Sequence, residues 1–505
     1  MNHSAVAPIL VPLLAGALLL AGARRSLAWK RTVSILACLL NLAASARLLT
    51  AAASGYGGIA YAVGGWPPPF GIVLVVDRLA ALMTVLVSVV ALAAFLYACA
   101  GQDARGRGFH GLFQFQVLGL NGTFLTGDLF NLFVFFEILL ISSYGLLLHE
   151  TRPDRSVTGF HYVVLNLIGS SLFLVAAGLL YGVVGTLNLA DLAAKMPSVA
   201  VEDSGLVRSA ALLLLVVFGL KGCLAPLHFW LPPTYASAPA PVAALFSLLT
   251  KAGAYAVLRV CPLVFGPGAG SAANAAASWV LPAALATIAV GTAGLLASRN
   301  LRKLVSYLVV LSMGTLFAAI GLFHLEGVAA GLYYLIHSTV VSAGLFLLAD
   351  LVARRRDCGS LIAPGSRVEQ ASLLGTLFLI GGMAAVGMPP LSGFLAKVWI
   401  LKAARADPLG AWVWAVLLFS GLAGIVALSR AGSLVFWKAG SAWKQRPGAD
   451  SFLWVPVAGL LAVSPLLVLT GGPVTEYCRR TAVELLSPDG YISAVLESET
   501  ARGIR

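Results

Sequence analysis

The chain has 505 residues, of which 59% are hydrophobic and only 10% are charged, and its mean hydropathy is +0.93. A soluble domain carries about 25% charged residues, so the composition excludes a soluble enzyme, a secreted disulfide scaffold and a nucleic-acid-binding protein. The net charge of +13 does not indicate an acidic partner, because the Lys and Arg residues cluster between apolar runs. The sequence therefore predicts an all-α integral membrane protein.

Fourteen apolar segments are predicted to cross the membrane, because a helix needs about 20 apolar residues to span the hydrocarbon. No basic residue precedes Arg24, whereas a cleavable signal peptide begins with positive charge, so we expect the first segment to be retained. The segments lie at roughly 5–23, 32–52, 78–100, 109–127, 129–149, 158–182, 207–227, 238–260, 276–297, 303–323, 327–351, 371–403, 410–436 and 452–472.

The Lys and Arg residues predict that both termini face the outer side of the membrane. The outer loop 53–76 has none, and the segment 183–207 contributes only Lys195. Cytoplasmic connections are enriched in Lys and Arg, and only the predicted seventh connection, 228–237, lacks them. The connections rich in these residues lie around 24–31, 101–109, 149–157, 298–303, 352–370 and 430–450.

Two proline-rich stretches interrupt the helical pattern, KGCLAPLHFWLPPTYASAPAP from Lys221 to Pro241 and GMPPLSGFLAK from Gly387 to Lys397. Proline removes a backbone donor and disrupts the preceding turn, so segments 7 and 12 are expected to be broken helices. Broken helices in corresponding positions indicate a transporter made of inverted repeats; a chance placement of prolines is the alternative. The expected divisions are 1–108 (helices 1–3 with the outer loop), 109–260 (first repeat, helices 4–8), 276–436 (second repeat, helices 9–13) and 437–505 (helix 14 and the C-terminal tail).

Among the charged residues inside predicted spans, four are the candidates for a functional role: Glu137, Lys221, Lys251 and Lys397. Each costs roughly 2.5–3.5 kcal/mol at a helix centre, so we expect them to be functional, with snorkelling towards the interface as the alternative for the lysines. His337 is a further candidate because imidazole titrates near neutral pH, and a hydrogen-bonded core histidine is its alternative. His228 is a weaker candidate. The other histidines are expected to be solvated near helix ends: His3, His110, His149, His161 and His324.

These residues suggest a proton relay across the protein. Burial disfavours the charged form of a lysine, whereas a nearby carboxylate favours it. A Glu137–Lys221 pair that forms and separates would therefore make the lysine hold and release a proton, with Lys251, His337 and Lys397 as the next stations. Lys397 has no acidic residue visible on neighbouring helices.

No cofactor or metal site is predicted. The six cysteines are scattered without CxxC spacing, which gives no support to a zinc site or an iron–sulfur cluster. There is no Rossmann glycine motif after a strand and no plausible haem ligand pair. The sequence therefore predicts a transporter rather than an enzyme.

Several long stretches resemble the antiporter-like membrane subunits shared by respiratory complex I, membrane-bound hydrogenases and Mrp-type cation/proton antiporters. Among these families, the chain is most similar to the Mrp D subunit, because of its Trp-Pro loop at 64–70 and the short tail after segment 14. The stretches are GGWPPPFGIVLVVDRLAALM at 64–83, LNGTFLTGDLFNLFVFFEILLISSYGLLLHE at 120–150, LKGCLAPLHFWLPPTYASAPAPVAALFSLLTKAGAYAVLR at 220–259, NLRKLVSYLVVLSMG at 300–314 and GMPPLSGFLAK at 387–397.

The resemblance implies a subunit of a multi-subunit antiporter that exchanges Na⁺ or K⁺ for protons and works only with its partner membrane subunits. It also implies that the family's relay residues map to Glu137, Lys221, Lys251, His337 and Lys397. A proton-pumping subunit of an NADH-quinone oxidoreductase or a membrane-bound hydrogenase is the first alternative. A generic solute carrier is the second, and it would show a substrate pocket between repeats instead of a row of titratable groups.

Overall fold

The computed structural model describes residues 3–55, 58–106, 108–149, 153–365, 368, 370–438 and 452–497. These residues form nineteen α-helices and one small sheet. The helices are α1 (Ala7–Ala21), α2 (Leu27–Ser54), α3 (Arg78–Ala98), α4 (Phe109–Leu125), α5 (Leu129–Leu148), α6 (Pro153–Val184), α7 (Leu189–Lys195), α8 (Ser204–Lys221), α9 (Leu231–Ser237), α10 (Ala240–Phe265), α11 (Ala277–Ala297), α12 (Leu301–Ile320), α13 (Leu325–Arg354), α14 (Ala371–Val386), α15 (Ser392–Ala403), α16 (Gly410–Gly432), α17 (Trp454–Leu469), α18 (Gly471–Leu486) and α19 (Asp489–Leu496).

Every predicted apolar segment is helical, which confirms the membrane-helix class. Ten helices in the described part of the chain are long and apolar enough to cross a membrane, or eleven if α17 and α18, which meet at 86°, form one bent span. α1 and α14 are apolar but shorter, and α4 has only 17 residues. The predicted number of fourteen spans is therefore not confirmed.

Three features were not predicted from the sequence. The outer loop contains an antiparallel pair of strands, β1 (Ile59–Ala62) and β2 (Val73–Val76), whose register pairs Ile59 with Val76. The short α7 and the C-terminal pair α18 and α19 lie outside the predicted spans. α18 carries four charged residues in 16, so its apolar face is too narrow to have been recognised as a span.

Both predicted helix breaks are present. α8 ends at Lys221 and α9 begins at Leu231, and the Trp230 indole Nε1 donates to the Leu220 carbonyl (3.0 Å) across this break. α14 ends at Val386 and α15 begins at Ser392. Gly387 follows α14 with φ 82°, a left-handed conformation that favours glycine. Each break exposes backbone carbonyls that α-helical hydrogen bonds would otherwise satisfy.

The two halves of the chain use the same hydrogen bonds at equivalent positions. The Leu129 amide, at the start of α5, donates to the Leu187 carbonyl (2.8 Å), and the Leu301 amide, at the start of α12, donates to the Ser360 carbonyl (2.7 Å). In the first half, the loop after α6 returns to the start of α5. In the second half, the loop after α13 returns to the start of α12. This likeness supports two similarly built repeats.

Glycines on α4 and α11 also occupy equivalent positions in the two halves of the chain. A Cβ atom on Gly119 would lie 2.8 Å from the Leu139 backbone, and one on Gly291 would lie 2.8 Å from the Leu311 backbone. α4 therefore packs on α5 as closely as α11 packs on α12. The expected boundaries at 109–260 and 276–436 stay a prediction, and residues 439–451 and 498–505 of the expected last division lie outside the described residues.

The centre of the protein is occupied by α10 and α13. The 18-residue window that qualifies each as a membrane span is completely buried. These helices carry Lys251 and His337, so the fold places two of the candidate residues in the buried centre of the protein.

Candidate functional site

One side of α6 contacts both members of the predicted Glu137–Lys221 pair. The Ser170 hydroxyl donates to the Glu137 carboxylate. The Lys221 Nζ donates to Asn166 Oδ1 (3.3 Å) and lies 5.5 Å from the centre of the Phe136 ring. Asn166 and Ser170 are separated by one helical turn, so α6 carries polar partners for both charges on one face.

Glu137 and Lys221 form no direct ion pair among the described residues, although the carboxylate lies within electrostatic range of the lysine. Lys221 is buried, whereas Glu137 is half-buried on a stripe of α5 that includes the exposed Val134 and Ile141. The two members of the predicted pair therefore each bond a side chain of α6, Ser170 or Asn166, and do not bond each other directly.

Lys251 lies in the interior of α10 and its side chain is completely buried. Its Nζ has no hydrogen-bond partner among the described residues. The break after α8 lies close by, because a Cβ on Gly253 would overlap the Gly222 amide. A buried amine without a partner is costly unless the site is hydrated or the group gives up its proton, which is the property expected of a proton station.

His337 and Lys397 are held by the second broken helix. The His337 Nδ1 atom and the Ser392 hydroxyl are 2.7 Å apart, and the Ser392 hydroxyl is 2.8 Å from that of Ser464 on α17. The buried Lys397 donates from Nζ to the Val386 carbonyl (2.7 Å), which the break leaves free. The two lysines Lys251 and Lys397 both lie within electrostatic range of the His337 ring.

No carboxylate lies within 4.0 Å of Lys397 in the described part of the chain. Glu326 instead accepts from Arg479 (2.5 Å) and from the Trp399 indole (2.9 Å). The other acid of the second half, Asp350, is bound by two arginines at the far end of α13. Lys397 is thus held by a backbone carbonyl rather than by an acid.

That second acid, Asp350, is the centre of a buried cluster. It accepts from Arg302, from Arg354 Nε (2.7 Å) and from the Tyr97 hydroxyl (2.9 Å). Two guanidinium groups on one carboxylate leave a net positive charge in this cluster at the end of α13.

The helices that carry four of the five predicted residues pack one against the next, from α8 through α10 and α13 to α15, and α6 joins α5 to α8. Glu137 is on α5, Lys221 on α8, Lys251 on α10, His337 on α13 and Lys397 on α15. Sequence reasoning missed Asn166, Ser170 and Ser392. The i, i+4 spacing of two polar residues within the apolar α6 was the available signal.

Two other histidines lie outside this row of residues. His228 is half-buried in the first break, and its Nδ1 has no partner among the described residues. The prediction that His110 is solvated is wrong: it is buried, its Nδ1 lies 3.0 Å from the Ser34 hydroxyl and its Nε2 lies 3.6 Å from Asp103. His110 lies at a helix end, but α2 and α3 cover that end.

The described residues contain no group of three or more His, Cys, Asp or Glu side chains that could hold a metal ion. All six cysteines are free thiols. The chemistry available at this site is the movement of protons and charge between amines, an imidazole, a carboxylate and hydroxyl groups.

Three features occur together in this protein: many membrane-spanning helices, two broken helices and an internal row of titratable groups. Together they are typical of ion-translocating membrane subunits. Residues 126–425 match the family model described as NADH:quinone oxidoreductase/Mrp antiporter, TM, which covers more than half of the chain. The chain belongs to this family.

Its curated relatives include the D subunit of a probable K(+)/H(+) antiporter of Rhizobium meliloti, which is 40% identical, with 99% of each chain covered. The D subunit of the Na(+)/H(+) antiporter of Bacillus subtilis is 34% identical, with 98% of this chain and 100% of the relative covered.

Solved structures show the same fold. A chain of the Mrp complex from Dietzia sp. superposes with a TM-score of 0.87 at 26% identity, covering 98% of this chain and 100% of that one. A chain of respiratory complex I from Thermus thermophilus superposes with a TM-score of 0.79 at 27% identity, covering 95% and 99%. The resemblance to antiporter-like subunits and the prediction of a multi-span membrane protein are therefore confirmed.

Proposed function

We propose that this chain is the D subunit of a multi-subunit monovalent cation/proton antiporter and that it carries protons along Glu137, Lys221, Lys251, His337 and Lys397. The observation that carries the proposal is the amine of Lys251, which is completely buried and without a hydrogen-bond partner in the described residues. The helix that carries it, α10, packs against α8 of the first half and α13 of the second.

The surroundings of each group determine how readily it holds a proton. Lys221 donates to the neutral Asn166 amide oxygen and Lys397 to a backbone carbonyl, and neither lysine forms a direct salt bridge among the described residues. A carboxylate at closer range favours the charged form of a lysine. A shift of the Glu137 carboxylate towards Lys221 would favour the charged lysine, and its return to Ser170 would favour proton release. The proton then has Lys251 and His337 as its next acceptors.

The coupled cation is K⁺ or Na⁺, because the relatives named above carry both designations. Antiport requires the other membrane subunits of the complex. We further propose that the complex lies in the cell inner membrane with both termini of this chain on the periplasmic side, as the Lys and Arg distribution predicts.

A role in a respiratory complex is the second candidate. The same fold occurs in a chain of a membrane-bound sulfane sulfur reductase, with a TM-score of 0.88 at 27% identity. In that case, proton movement would depend on electron transfer in a partner subunit, because this chain offers no cofactor motif.

Cation/proton exchange in everted membrane vesicles that contain the whole complex tests the proposal. With an imposed pH gradient and neither NADH nor quinone added, we expect added Na⁺ or K⁺ to collapse the gradient. Glu137→Ala and Lys221→Ala should abolish exchange while the complex still assembles. The control is Lys402→Ala, which removes an exposed lysine from the same helix as Lys397.

Wild-type exchange in Glu137→Ala would reject the relay. A strict requirement for an electron donor would assign the chain to a respiratory complex instead.

A further inference from the structure

An open cavity of about 490 Å³ lies between α14 and α16, within the roughly 300–1,000 Å³ range of ligand pockets. Its walls are mostly apolar, and Gly375, Leu379, Met383 and Leu428 are representative. Leu379 is 57% exposed, so the cavity opens on the side of the protein that faces the bilayer or a neighbouring subunit. None of the five relay residues lines it.

The long axis of the cavity follows α14. The lining extends from Ala371, in the first turn, to Val386 and Met388 at the helix break. The 16 residues of α14 measure about 24 Å at 1.5 Å per residue, whereas one leaflet contributes about 15 Å of hydrocarbon. The cavity is therefore deep enough for an acyl chain that enters from one leaflet.

The rim at the start of α14 is aromatic and basic. Trp437, which lines the cavity, is 79% exposed, and the exposed Lys438 follows it. The buried Arg355 donates to Gln370, the residue before α14 (2.7 Å), so the exposed positive charge at this rim is that of Lys438. Trp and Lys at helix ends are typical of the membrane interface, and basic residues there attract anionic headgroups.

An apolar cleft of one-leaflet depth with a basic, aromatic rim matches the shape and charge of a phospholipid. We propose that the cavity binds one acyl chain of an anionic phospholipid, with its headgroup beside Lys438 and the end of its chain near Val386. Binding does not depend on the proposed transport function. It would brace the second helix break, because the Val386 carbonyl is the acceptor for Lys397.

Photo-crosslinking tests the site directly. The assembled complex is reconstituted in vesicles with phosphatidylglycerol that carries a diazirine in one acyl chain, irradiated, and digested to locate the label. We expect labelled peptides from α14 and α16, and weaker labelling with the matching phosphatidylcholine probe.

Glycine variants supply the control. A Cβ on Gly375 would lie 3.7 Å from the Phe436 ring, an ordinary contact, so Gly375→Leu fills the cavity without moving the backbone. Gly178 on α6 is exposed and has nothing within 4 Å of its Cβ position, so Gly178→Leu makes the same change at an open surface. Labelling of α14 and α16 should fall to background in Gly375→Leu and persist in Gly178→Leu.

If Gly375→Leu does not assemble, Gly382→Leu replaces it, because its Cβ would meet Leu428 at 3.5 Å. Unchanged labelling in an assembled cavity-filling variant would overturn the proposal. So would label found on another subunit instead of α14 and α16, because protein would then cover the cleft. Equal labelling by the phosphatidylcholine probe would reject the anionic headgroup.

Discussion

The polar face of α6 connects the two charges of the first half. Ser170 donates to Glu137, and Asn166 accepts from Lys221 one turn earlier. Hydrogen bonds to charged groups are worth about 1.5–3 kcal/mol, enough to hold the carboxylate away from the lysine until something displaces it. α6 is therefore the element most able to set how often the two charges approach each other.

Ser170→Ala should change transport without removing a charge. Loss of a bond worth about 1.5 kcal/mol or more is expected to alter the exchange rate of the whole complex roughly tenfold, measured in everted vesicles. Ser171→Ala is the matched control, because that hydroxyl is exposed and donates to the Leu167 carbonyl of its own helix (3.1 Å). Equal rates in both variants would remove Ser170 from the relay.

Lys397 tests whether the second break needs a proton carrier or only a positive charge. Arginine stays protonated at physiological pH, so Lys397→Arg keeps the charge and removes the titration. Because proton transfer by a positioned group contributes about 100-fold or more, we expect Lys397→Arg to lose exchange nearly as completely as Lys397→Ala. Substantial exchange in Lys397→Arg would make Lys397 an electrostatic element.

At the scale of elements, the second broken helix depends on a very close approach to its neighbours. A Cβ on Gly393 would overlap the Ala384 carbonyl and lie 2.8 Å from His337 Nε2. Only glycine lets α15 begin against both the end of α14 and the His337 ring. The position of the imidazole relative to the break is thus fixed by backbone packing.

Gly393→Ala should disturb this geometry. Overpacking typically costs about 1–3 kcal/mol, so we expect a lower Tm of the purified complex and a lower exchange rate. Gly178→Ala adds the same methyl group in open space and should leave both unchanged. A Gly393→Ala complex with native Tm and exchange would show that α15 can shift without consequence.

At the scale of the molecule, the C-terminal helices close one end of the protein. Glu484 on α18 pairs with the buried Arg78, and the Arg259 guanidinium, which pairs with Asp77 (2.6 Å), lies 5.1 Å from the centre of the Tyr491 ring on α19. This end carries the β1–β2 hairpin and is the end predicted to face the periplasm. The orientation of the chain in the membrane therefore determines from which side of the membrane protons reach each half of the relay.

Reporter fusions test the orientation. A C-terminal alkaline phosphatase fusion should be active and a C-terminal green fluorescent protein fusion dark, because both termini are predicted outside. A fusion of green fluorescent protein after residue 303 should fluoresce, since that basic connection is predicted to be cytoplasmic. A fluorescent C-terminal fusion would invert the proposed topology.

The sequence by itself determined the class of protein, the helical segments, both breaks and the candidate charges. Hydropathy, proline chemistry and the cost of a charge in lipid act locally, so a single chain reveals them. It did not reveal that α18 and α19 fold back on the protein, because an amphipathic helix looks polar until its partner surface is known.

Only the tertiary structure decided which groups meet. Glu137 bonds Ser170, Lys221 bonds Asn166 and His337 bonds Ser392, and none of these contacts follows from hydropathy. Contacts between helices depend on how the helices are rotated and packed, and that rotation is set by close approaches such as the one at Gly393. The sequence therefore located the titratable groups, whereas the packing of the helices determined their hydrogen-bond partners.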